Sequence, residues 1–130
     1  MVLIDSVSRL VDGVLGGEES AEIELCDRAD ISATILKAAH HGSKTSNTAD
    51  FIFAVNPAAI LISAGENNNY GHPHKSALEN MRSFVQNIFC TAFNGTVKVT
   101  TDGNSFLVLP EISAPWLEQY TGERIIVTRL

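Results

Sequence analysis

Residues 33–46 read ATILKAAHHGSKTS and residues 58–74 read AAILISAGENNNYGHPH. Each passes directly from a short apolar run into a polar loop that contains glycine and two histidines. Residues 34–38 predict a short buried strand, and residues 59–63 (AILIS) predict a continuous apolar strand buried on both faces, the pattern of a parallel sheet. Clefts beyond the carboxyl ends of such strands are where α/β folds build sites. The two segments therefore predict an α/β domain with its polar chemistry gathered at one end of the sheet.

Working outward, Asn47 or Thr48 caps a helix that runs through Val55, and Pro57 prevents its continuation. A second helix is expected over residues 76–87, with Leu78, Met81, Phe84 and Val85 on its inner face. The period then changes to two, and residues 89–93, 96–101 and 104–109 predict three antiparallel strands. Asn94-Gly95 and Asp102-Gly103 supply the hairpin turns, with Val97 and Val99 buried. Upstream, Leu3, Val7, Leu10 and Val14 predict an amphipathic helix over residues 2–15, weakened by Gly13 and ended by Gly16-Gly17. The acidic stretch 18–30 predicts another short helix. Beyond Pro110, residues 116–120 predict a helical turn and residues 124–127 a last strand. No internal repeat is present.

At 130 residues, with 45% apolar and 18% charged residues, the chain has the composition of one soluble globular domain. Its apolar start, Met1 to Ile4, is broken at once by Asp5, Ser6 and Arg9, which is neither a signal-peptide core nor a membrane span. Cys26 and Cys90 form no CxxC pair, so a reduced cytoplasmic setting is expected, with both thiols as small core residues. The net charge of −6 argues against a general polyanion binder. It leaves room for a nuclease, because metal ions can supply the positive charge.

All four histidines fall in the two loops. In the first, Gly42 permits a tight turn, and Ser43, Lys44, Thr45 and Ser46 offer donors suited to phosphate oxygens. The second has two glycines, three amides and two histidines around Pro73. Imidazole is a standard ligand for zinc or manganese, and a catalytic metal needs about three protein ligands plus an open position. His40, His41, His72 and His74 are thus the candidate metal residues, against the bland reading of two hydrogen-bonded surface turns.

The stretches ATILKAAHHGSKTSN, AAILISAG, NNNYGHPHKSALE and NGTVKVTTDG, in this order, resemble the C-terminal half of the ComEC-type metallo-β-lactamase domain over residues 21–108. The resemblance implies an αββα sandwich in which a metal-activated water cleaves phosphodiester bonds in DNA. Carried over by motif, it implies His40 or His41 and His72 as metal residues, with His74, Ser43, Asn68 and Tyr70 on the substrate side. The family's principal metal motif, HxHxDH or HxDxDH, does not occur in these 130 residues, and no histidine precedes His40. The family's metal-bridging aspartate has no counterpart either, since Asp27 and Asp30 lie in a predicted helix or its exit. Residues 2–20 resemble a segment of bacterial tRNA guanine-N1 methyltransferase, without the parts that form its cofactor pocket. Together these resemblances imply a composite or truncated chain, with residues 109–130 an unassigned tail.

The expected fold is α/β, half of a metallo-β-lactamase-like sandwich, with parallel strands followed by an antiparallel meander. The expected function is metal-dependent phosphodiester hydrolysis, impaired by the missing half-site, with zinc or manganese held weakly. The substrate contacts would be Ser43, Lys44, Asn68 and Tyr70. The alternatives are a non-catalytic binding or inhibitory protein on the same scaffold, or a half-domain completed by a second chain. A homo-oligomer or protein partner is expected, because a half-sandwich exposes an apolar sheet face.

Overall fold

A computed structural model describes residues 3–5, 18–28, 30–113 and 116–117. Four parallel strands lie side by side in chain order, β1 (Leu3–Asp5), β2 (Ile35–Lys37), β3 (Ala59–Ile62) and β4 (Asn87–Cys90). Leu36, Ile60 and Ile88 share one register row, and Ile62 pairs with Cys90 on the same face. That face meets a layer of three helices, α1 (Glu18–Arg28), α2 (Ala49–Val55) and α3 (Lys75–Arg82), in which α2 packs against both α1 and α3. Sequential parallel strands joined by crossovers of one hand place their helices on one side in this way. Phe51, Ile52, Val55, Leu78 and Met81 fill the space between the layers. Each such side chain contributes about 1.5–3 kcal/mol by leaving water.

Local chemistry explains the element ends. The Thr48 hydroxyl accepts from the N–H of Phe51 and caps α2, whose far end closes on Asn56 at φ 47° before Pro57. Helix α3 stops at Arg82, earlier than its periodicity predicts, and the chain turns so that Val85 still enters the core. Phe84 is 48% exposed and leans edge-on against Phe53, so its expected place on the inner face is corrected.

Two further expectations change. Leu3–Asp5 forms an edge strand paired with Ile35–Lys37, not the start of a helix. The remainder of the helix expected over residues 2–15 lies outside the described residues, as does the strand expected at 124–127. Of the turn expected at 116–120, only Trp116 and Leu117 are described, and Trp116 is buried, stacked on Phe93.

The antiparallel part is a separate two-stranded sheet, β5 (Val97–Thr101) with β6 (Phe106–Pro110). Asp102 and Gly103 do lie in its turn. Asn94-Gly95 joins no hairpin, because residues 91–94 form one helical turn, α4 (Thr91–Asn94), that follows β4. The Thr91 hydroxyl bridges the backbone of Ala64, and the Asn94 amide binds the N–H of Cys90 and the carbonyl of Ile112. These side-chain bonds outcompete the turn preference of the dipeptide. Val97 is half-buried and Val99 is 37% exposed, so the expected burial of Val99 does not occur. No helix among the described residues is long and apolar enough to cross a membrane.

Candidate functional site

The first loop leaves β2 through Ala38, whose N–H donates to the Leu61 carbonyl at 2.8 Å. The chain then winds left-handed for three residues, His40 (φ 47°), His41 (φ 56°) and Gly42 (φ 78°). Two non-glycine residues in that region cost about 1–2 kcal/mol each and persist only where surrounding contacts hold them. Asn47 is one such contact. Fully buried, it accepts from the Ala39 N–H at 3.0 Å and donates to the carbonyls of Ala39 and Ser43 at 3.0 and 3.1 Å. Behind it the buried carboxyl of Glu22 accepts the N–H groups of Asn47 and Thr48.

The second loop leaves β3 and is braced by Asn68. That side chain donates to the carbonyls of Gly65 and His72 at 2.9 and 2.7 Å and accepts from the His72 N–H at 2.9 Å. The two loops interlock. The His74 N–H donates to the Gly42 carbonyl at 2.9 Å, and a Cβ on Gly42 would sit 2.7 Å from Pro73 Cβ. The Lys44 N–H donates to His74 Nδ1, and His74 Nε2 meets the Tyr70 carbonyl, both at 2.9 Å. With Nδ1 accepting, Nε2 must carry the proton.

The sequence-predicted histidines are therefore brought together but do different work. His40, His41 and His72 gather with ring centroids 5.4 to 6.3 Å apart. Three imidazoles on one tetrahedral zinc would hold their centroids about 5 Å apart, given Zn–N bonds of about 2.0 Å. His41 Nδ1 lies 2.6 Å from the Ser63 carbonyl, which fixes the proton on Nδ1 and leaves the lone pair on Nε2. His74 has both nitrogens engaged within the protein and acts as a strut between the loops. Among the described residues, no set of three or more histidine, cysteine, aspartate or glutamate side chains forms a group that could hold a metal ion.

The other predicted contacts divide similarly. Ser43 is buried, with its hydroxyl against Thr45. Asn68 is committed to its own loop. Lys44 is exposed, and Tyr70 is 77% exposed with its ring stacked on His72. These two remain available at the surface of the site. Burial pushes the Cys90 thiol up to about 12, and burial followed by the nearby Glu22, Asp27 and Asp50 carboxylates raises that of Cys26. Both are packing residues, as expected. Glu22 and Asn47 were not legible as site residues, because their roles depend on chain segments meeting in space.

Over 69 residues the chain is 41% identical to ComE operon protein 3 of Bacillus subtilis (strain 168), covering 53% of this chain and 9% of that protein. Over 100 residues it is 31% identical to Recombination protein 2 of Haemophilus influenzae, covering 76% of this chain and 12% of that protein. Only a small fraction of these curated relatives is therefore spanned. No family model matches the chain. No solved structure matches it either.

Proposed function

We propose that this chain carries the second half of a ComEC-type phosphodiesterase site acting on nucleic-acid phosphodiesters in the cytoplasm, with the remaining ligands supplied from outside these 130 residues. The observation that carries this reading is the gathering of His40, His41 and His72 beyond the ends of β2 and β3, with His41 oriented by the Ser63 carbonyl. The similarity to ComE operon protein 3 supports it. In this reading His41 and His72 are the principal ligands, while His74 and Asn68 hold the loops in register. Lys44 and Tyr70 face the substrate, and Ser43 supports the first loop from inside. No hydrolytic step is assigned to these residues alone.

The test is metal analysis of the purified protein with zinc or manganese, beside cleavage of bis-p-nitrophenyl phosphate. Expected are weak binding below one ion per chain and hydrolysis near the uncatalysed rate. Replacing His41 and His72 together with alanine should abolish the binding and leave the circular dichroism spectrum unchanged, since both lie on loops. Robust cleavage by the isolated chain would show a complete site. Unchanged metal stoichiometry in the double variant would make these histidines turn residues and favour a non-catalytic binding protein.

A further inference from the structure

Helix α1 is acidic, with Ile23 and Asp27 exposed, yet Glu22 beside Ile23 has no exposure at all. Retaining a carboxyl in such a place is costly unless its oxygens are matched, and an apolar pair of similar volume would serve cohesion equally well. Its oxygens are matched in a particular way. One accepts the N–H of Asn47 and the other, at 2.9 Å, the N–H of Thr48. From the α3 side, Asn80 Nδ2 donates to the Asn47 carbonyl at 3.1 Å. The Asn47 backbone is thus clamped from two helices, and its own φ of 63° suits asparagine.

The clamped residue then reaches forward. Its amide binds both backbone polar groups of Ala39, the Ser43 carbonyl and the Ser46 hydroxyl, the last at 3.2 Å. Ala39 and Ser43 flank the left-handed turn of His40, His41 and Gly42, so one side chain holds its two ends together. We propose that Glu22, acting through Asn47, is a positioning residue that keeps His40 and His41 in the left-handed conformation presenting their rings to His72. The ligand-binding consequence rests on the half-site reading given above, and the conformational consequence stands without it.

The test uses Glu22→Gln in the full chain. A glutamine offers one acceptor oxygen but turns its NH2 toward the second N–H, donor against donor. Backbone chemical shifts of His40 and His41 in metal-free protein report the left-handed turn, and zinc titration reports the assembled rings. Expected are retained sheet resonances, His40 and His41 shifts that leave the left-handed range, and zinc binding weakened about tenfold, as for loss of an orienting partner. Val85→Ala, which loosens the core away from the loop, should lower the melting temperature without moving those shifts. Should Glu22→Gln not fold, Asn47→Gly tolerates the positive φ while deleting the four side-chain bonds, and the same shift changes are expected. Unmoved His40 and His41 shifts in a folded variant would overturn the proposal. If the wild-type chain binds no zinc, the half-site reading falls, and the shifts alone decide the positioning role.

Discussion

His72 and His74 stand two residues apart and have opposite roles. The ring of His72 lies among those of His40, His41 and Tyr70, whereas His74 is tied at both nitrogens to Lys44 and Tyr70. Paired histidines in a short motif are thus indistinguishable by type and separable only by their partners. Gly42 gives the sharpest test at this scale. An added Cβ would overlap Pro73 and press on Ile62 at 3.3 Å, at a backbone angle that β-carbons resist. Strain of about 1 kcal/mol and an overlap of about 1–3 kcal/mol predict that Gly42→Ala loses about 2–4 kcal/mol in urea unfolding. Gly65→Ala, whose nearest neighbour is Asn68 Cβ at 3.9 Å, should stay within about 0.5 kcal/mol of wild type. Equal losses at the two positions would mean that the loops do not interlock as described. The need for a glycine at position 42 was legible in HHGS. Its contact with Pro73 was not, because 31 residues separate the two.

The β5–β6 hairpin shows where reading by element succeeds and fails. Asp102-Gly103 marks a true turn, because the Asp102 carboxylate accepts the N–H groups of Asn104 at 2.9 Å and Ser105 at 2.7 Å, bonds available within the turn itself. Asn94-Gly95 carries the same signal, but its amide is committed to Cys90 and Ile112. Strands β2 and β3 and the Thr48 cap were legible for the opposite reason, since continuous apolar runs and local caps depend little on distant residues. Glu22 was hidden because an acidic helix reads as solvated until α2 covers it. The hairpin also predicts a pH dependence. Backbone N–H groups of Ser105 and Asn104 hold the Asp102 carboxyl below its ordinary value. A depressed folded pKa means stability present above the unfolded value of about 3.9 and lost as pH falls through the folded one. Amides of the turn should therefore lose protection on acidification below about pH 4, and Asp102→Asn should remove that dependence. An acid response that persists in the variant would assign it to another carboxyl.

Across the whole molecule, stability is concentrated in the parallel sheet and its helices. Ile60, Ile62, Ile52 and Val55 have at most 1% exposure, while Leu107 and Leu109 on β6 are about half exposed. A two-stranded sheet is marginal by itself in water. Among the described residues, the N–H and carbonyl of Ile112 at the base of the hairpin meet the Asn94 carbonyl and side-chain amide, and Phe106, Val108 and Pro110 on one face of β6 are only half-buried. Amides of β5 and β6 should therefore exchange with solvent faster than those of β2, β3 and β4 in dilute protein, because local opening exposes little additional apolar surface. The same exposed side chains favour association. Light scattering at high micromolar concentration should give a mass above the 14.0 kDa of one chain, and hairpin protection should rise with concentration while that of the parallel sheet stays constant. A strictly monomeric protein whose hairpin is protected as well as its core would sink this picture, since the hairpin would then owe its stability to contacts within one chain.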